Sequence, residues 1–189
     1  VFFIFQPAEE GGAGGKAMIE DGLFDRFPME EIYALHNWPG MELGVFGFRS
    51  GPIMASSNQF EILIKGKSGH AAMPNLCVDP VLVASHLIQS FQAISSRQLN
   101  PLEPSVIAVT KINAGSTANI ISGDCELVGT VRTFSDESLN KIEKYMKEIC
   151  LTVPKAFGAE ASFKMIRQYP PTINHKSQTN FALKVAEKL

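Results

Sequence analysis

Excess charge of either sign, cysteine and long apolar stretches are all scarce in this chain, and each scarcity excludes something. Lysine and arginine number 17 against 19 aspartates and glutamates, for a net charge of -2 and a pI near 6.1. The basic residues are scattered, so the chain carries no electrostatic footprint for nucleic acid or an anionic membrane. Small molecules are the expected partners. The three cysteines, Cys77, Cys125 and Cys150, are odd in number, far apart and form no CxxC pair. That pattern argues against a disulfide framework and a structural zinc, and for reduced thiols in a cytoplasmic setting. The opening run Val1-Phe2-Phe3-Ile4-Phe5 has no initiator Met or charged segment before it. It is far shorter than the roughly 20 apolar residues that cross a bilayer. It reads as a buried strand, and the sequence as the interior of a longer one. No internal repeat, low-complexity tract or long linker interrupts it.

What is present suffices for a core. With 189 residues, 45% apolar and 19% charged, the chain can build one modest domain and part of another. The first stretch reads as strand Val1–Phe5, a glycine-rich turn, helix Lys16–Leu23 and strand Ile32–Leu35, a parallel α/β unit. Ligands of such sheets gather beyond the carboxyl ends of the strands, where Glu9, Glu10 and His36 fall. From Ser56 the pattern changes: strand Gln59–Lys65, helix Pro80–Ser96, strands Ser105–Ile112 and Cys125–Phe134, helix Glu137–Val153, strand Glu160–Arg167. This βαββαβ order is the ferredoxin-like split unit. Its helices carry the apolar stripes Ala84, Leu87, Ile88, Phe91, Ile94 and Leu139, Ile142, Met146, Ile149, Val153. Ser135 or Asp136 is placed to cap the second, and a final helix starts near Ser177. The expected organisation is therefore residues 1–55 and 168–189 as pieces of one α/β domain, with 56–167 inserted between them.

Several polar residues stand where chemistry is done. Glu9 and Glu10 are adjacent carboxylates followed by Gly11-Gly12-Ala13-Gly14-Gly15. They suit either a helix N-terminus, whose dipole favours acids, or a division of labour in which one binds a metal and the other moves a proton. A phosphate loop is excluded, because no GK[ST] follows and the acids would repel phosphate. His36, ending its predicted strand, supplies an imidazole that pairs with a glutamate as a partial shell for a divalent ion. His70 lies in the small-residue loop Gly69-His70-Ala71-Ala72-Met73-Pro74, either as a turn histidine bonded to backbone or as a reachable catalytic imidazole. Arg132, in Gly129-Thr130-Val131-Arg132-Thr133-Phe134, is either a sheet-face charge or a fork for a substrate carboxylate, with Asn119 as a further donor. His86 and His175 carry no such context.

Taken in order, these motifs resemble the M20 metallopeptidases, specifically the branch of N-acyl amino acid amidohydrolases, hippurate hydrolases and auxin-conjugate hydrolases. The matching stretches are Gln6 to Gly14, Ala34-Leu35-His36, Gly69 to Pro74 with Val78-Asp79-Pro80, Ala114-Gly115 through Asn119-Ile120, and Gly129 to Phe134. They span nearly the whole chain.

The resemblance implies metal-dependent hydrolysis of the amide bond of N-acyl or N-aroyl amino acids, giving a carboxylic acid and a free amino acid. It makes Glu9 the general base and acid, and Glu10 and His36 ligands in a site for two divalent metal ions. Zinc, manganese, cobalt and nickel suit such ligands alike. It makes 56–167 a lid and dimerisation domain, whose His70 reaches across a homodimer to polarise the scissile carbonyl. Asn119 and Arg132 fall at lid positions that surround the substrate's carboxylate and carbonyl.

Two further implications limit this. The family's upstream Cys/His-rich metal segment and distal metal-binding His have no counterpart in this sequence. Asn75 also stands where a second His is usual, and Ile121-Ser122-Gly123-Asp124 replaces a Val-Ile-Pro-Asp type of run. A noncatalytic dimerisation module and an exopeptidase acting on short peptides are the competing readings.

Overall fold

The computed structural model describes residues 1–9, 11 and 14–188, and they form an α/β fold. Two compact units are separable, residues 1–48 with 186–189 and residues 49–185.

In the first unit, α1 (Gly14–Glu20) and α2 (Leu23–Arg26) replace the single expected helix Lys16–Leu23. The break falls at Gly22, whose φ of 86° is left-handed and open to glycine at little cost. The expected strands Val1–Phe5 and Ile32–Leu35 are not formed. Both segments are irregular, and Phe3, Phe5 and Leu35 are more than four-fifths exposed. A strand's hydrogen bonds run to another strand, so an apolar run becomes one only beside a ladder partner. No described segment of the chain pairs with either.

The second unit holds all the sheet structure among the described residues. β1 (Gly51–Met54) leads into β2 (Ser57–Lys65), the short β3 (Gly69–His70) and α3 (Pro80–Ala93). β4 (Ser105–Ala114), β5 (Ile120–Ile121), β6 (Asp124–Thr133), α4 (Asp136–Thr152), β7 (Glu160–Tyr169), β8 (Thr172–Asn174) and α5 (Lys176–Ala186) follow. The main sheet is antiparallel in the order β4-β6-β2-β7, the split βαββαβ arrangement expected from the sequence. β1 and β8 pair as a separate ribbon where the chain enters and leaves.

Alternation decides the faces. Phe60, Ile62 and Ile64 of β2 and Cys125, Leu127 and Val131 of β6 are buried against Val83, Leu87 and Phe91 of α3 and Leu139, Ile142 and Met146 of α4. Each fully buried apolar side chain of this size contributes about 1.5–3 kcal/mol. Asp79 caps α3, its Oδ1 accepting from the amides of Val81 and Leu82 at 2.8 and 3.3 Å. Ser135 caps α4, its Oγ accepting from Ser138 N at 3.2 Å. The three cysteines are free thiols, and burial pushes that of Cys150 up to about 12, so it stays protonated.

Gly129 pairs in register with Phe60, leaving room for the ring, which meets Phe91 edge-on at 6.2 Å. A Cβ on Gly129 would come within 2.2 Å of the Ala108 carbonyl oxygen and 2.3 Å of the Phe60 ring. Backbone cannot swing aside as a side-chain tip can. Gly129→Ala is expected to destabilise the unit by about 2–3 kcal/mol through overpacking, read as a lower urea midpoint with an unchanged slope.

Candidate functional site

Glu9 follows Ala8, a non-glycine residue with a φ of 48°. Such a conformation persists only where the surroundings impose it, and it recurs at functional sites. The turn leaves the Glu9 carboxylate exposed. Glu10, the expected ligand beside it, lies outside the described residues. His36 is also exposed, with Nδ1 2.6 Å from the carbonyl oxygen of Asn37. A carbonyl only accepts, so Nδ1 donates, and the neutral imidazole then keeps its lone pair on Nε2, the form in which imidazole ligates a metal. His36 alone thus fits a divalent ion. No group of three or more His, Cys, Asp or Glu among the described residues is placed to hold one, so the donor set for a complete site is not assembled from them.

The second unit presents the opposite tautomer. His70 lies on β3 and pairs with Ile120 of β5. The little ladder is locked by Ala71 N donating to Asn119 O at 2.9 Å and Ser68 Oγ to Ile121 O at 2.8 Å. Ala72 N donates to His70 Nδ1 at 3.1 Å. Since an amide only donates, that nitrogen bears the lone pair and Nε2 bears the hydrogen. Exposed His70 therefore offers a hydrogen-bond donor, as a developing oxyanion requires. Asn119 follows suit: its Oδ1 accepts from Thr117 Oγ1 at 3.0 Å, which leaves its NH2 free to donate. His70 and Asn119 thus lie on adjoining rungs, the first opposite Ile120 and the second held through its carbonyl by Ala71. A cleft of about 310 Å³, lined by Ser68, Gly115, Ser116, Ser122 and Asp124 among others, adjoins them.

Arg132 is elsewhere. It sits near the end of β6, opposite Val106 of β4, with its exposed side on the sheet face away from the helices. Asp124, where β6 starts beside β5, is eight residues earlier, about 26 Å at roughly 3.3 Å per strand residue. Arg132 has no carboxylate partner among the described residues, whereas Arg167 donates through Nε to Glu143 at 3.1 Å. His70 and Arg132 thus belong to different ladders.

The sequence reading missed a polar cluster flanking Arg132. Ser56, Asn58 and Thr133 are each 2% exposed or less. Their signal was available: Asn58 is in phase with Phe60, Ile62 and Ile64, and Thr133 with Cys125, Leu127 and Val131, so polar residues occupy core-facing positions.

Residues 55–157, more than half of the chain, match the family profile of the peptidase dimerisation domain of M20 enzymes. This chain belongs to the M20 peptidase family. The M20 chain is 37% identical over 189 residues to N-acetylcysteine deacetylase of Bacillus subtilis, covering 100% of itself and 49% of that protein. It is 34% identical to thermostable carboxypeptidase 1 of Saccharolobus solfataricus, covering 98% of itself and 48% of that protein. Among solved structures, it matches the Bacillus subtilis YxeP protein, described as a dinuclear metal-binding peptidase of the M20 family. That match has a TM-score of 0.78 and 32% identity, over 98% of this chain and 46% of the other. The M20 chain thus spans about half the length of the curated relatives it matches.

Proposed function

We propose that the full-length protein is a metal-dependent amidohydrolase that releases a free amino acid from N-acyl or N-aroyl amino acids. The observation that carries this reading is the pair of opposed imidazoles: His36 presents a lone pair and His70 a hydrogen. A hydrolase needs both, one to ligate and one to stabilise the oxygen that becomes negative. Glu9 takes the proton of the attacking water and delivers it to the leaving amine. His70 Nε2–H holds the scissile carbonyl oxygen, Asn119 donates beside it, and the Arg132 fork holds the substrate's carboxylate.

His36, with Glu10 and ligands beyond the described residues, would hold two divalent ions, whose Lewis acidity lowers the pKa of water at the site. The separation of His70 and Arg132 supports a site shared by two copies, one presenting His70 and Asn119 and the other Arg132. The dimerisation domain is in keeping with that homodimer. The three free thiols fit a cytoplasmic enzyme.

The test is amino acid release by the full-length protein from a panel of N-acetyl and N-aroyl amino acids and dipeptides. Turnover should vanish on chelation and return with zinc, manganese, cobalt or nickel. Cleavage of dipeptides alone would make it an exopeptidase, as the carboxypeptidase relatives suggest. No cleavage at any metal loading would leave a dimerisation module.

A further inference from the structure

We infer that Ser56, Asn58 and Thr133 form a buried clamp that positions Arg132 for the ligand's carboxylate. This rests on the role given to Arg132 above.

The clamp grips both neighbours of Arg132. On one side, Asn58 Nδ2 donates to the Val131 carbonyl oxygen at 3.2 Å. On the other, Thr133 N donates to Ser56 Oγ at 3.1 Å, and Ser56 N to Thr133 O at 2.7 Å. The hydroxyl directions follow by elimination. Ser56 Oγ accepts from Asn58 Nδ2 at 3.0 Å and from Thr133 N, which fills both its lone pairs. Its own hydrogen therefore goes to Thr133 Oγ1 at 3.0 Å, and the Thr133 hydroxyl donates to Ser135 O at 3.1 Å. One directed chain thus runs from β2 through β6 to the cap of α4.

Three polar side chains at core positions do not fill space as apolar ones would. What a satisfied buried network gives is a single geometry, because slipping any member strands a buried donor. The grip is placed where it is needed. On its β4 side β6 is paired through Val106–Arg132 and Ser105–Thr133, whereas on its β2 side the pairing stops at Asn58–Val131, and the clamp takes over from there. Arg132 stands between the two held residues with no carboxylate partner among the described residues, so its backbone fixes where the guanidinium can reach. A bidentate fork loses much of its advantage when its base shifts by a fraction of an ångström.

The experiment is a double-mutant cycle in the full-length protein, reading KM and kcat for the acylated amino acid that it cleaves. Ser56→Ala should raise KM about tenfold and leave kcat nearly unchanged, as loss of a binding interaction does. In an Arg132→Ala background the same substitution should change nothing, since the two act through one contact. Thr133→Val should behave like Ser56→Ala, and Thr133→Ser, which keeps the hydroxyl, should stay near wild type. This pair serves also if Ser56→Ala fails to fold. Equal effects of the clamp variants in both backgrounds, or none in either, overturn the inference while an Arg132→Ala effect on KM keeps the arginine's role. An unchanged KM in Arg132→Ala overturns both.

Discussion

Glu9→Gln in the full-length protein should lower kcat by about a thousandfold, the scale of a positioned general acid–base group, with metal content unchanged. The amide keeps the shape and polarity of the side chain but neither takes up nor returns a proton at neutral pH. Glu9 is exposed beside a left-handed Ala8, so the substitution leaves no buried orphan and should barely affect stability. Metal analysis by mass spectrometry alongside steady-state kinetics makes the result decisive. Full activity with metal bound would remove Glu9 from the reaction; lost activity together with lost metal would make it a ligand.

Mixing two impaired variants, His70→Ala and Arg132→Ala, should restore activity. His70→Ala removes the only side-chain donor at its rung and should cost about a hundredfold or more in kcat, as loss of an oxyanion donor does. Arg132→Ala should raise KM sharply. His70 lies on the β3–β5 ladder and Arg132 near the far end of β6, and on the proposed reading a given site draws them from different copies. A mixed dimer therefore has one site with both residues intact and one with neither. Unfolding and refolding the two variants together should give up to about a quarter of wild-type turnover, as half the dimers are mixed and each has one competent site of two. Absence of recovery, with mixed dimers shown to form, would place both residues of a site on one chain.

The inserted unit was largely legible in the sequence because its signals are local. The stripes Ala84-Leu87-Phe91 and Leu139-Ile142-Met146 fall on buried faces as expected, although Cys150 is buried where Ile149 and Val153 are only partly covered. Alternation in β2 and β6 set both their length and their inward faces. In the stretch 1–48 the helical part was legible but the two expected strands do not form, because parallel strands take their hydrogen bonds from distant residues. An apolar run such as Val1–Phe5 has a composition suited to a strand but no partner written into it.

Residue types and spacing by themselves determined the order of the βαββαβ unit and marked Glu9, His36, His70, Asn119 and Arg132 as candidates, while the family was legible as a resemblance of their motifs. The tertiary structure decided what spacing does not encode: how the Nδ1 atoms of His36 and His70 are bonded, that His70 and Asn119 lie at the small β3–β5 ladder while Arg132 stands near the end of β6, and that Ser56, Asn58 and Thr133 bond to both neighbours of Arg132. A tautomer depends on whether a neighbouring backbone group donates or accepts, and proximity depends on strand register. Both are fixed only when segments far apart in the chain pair.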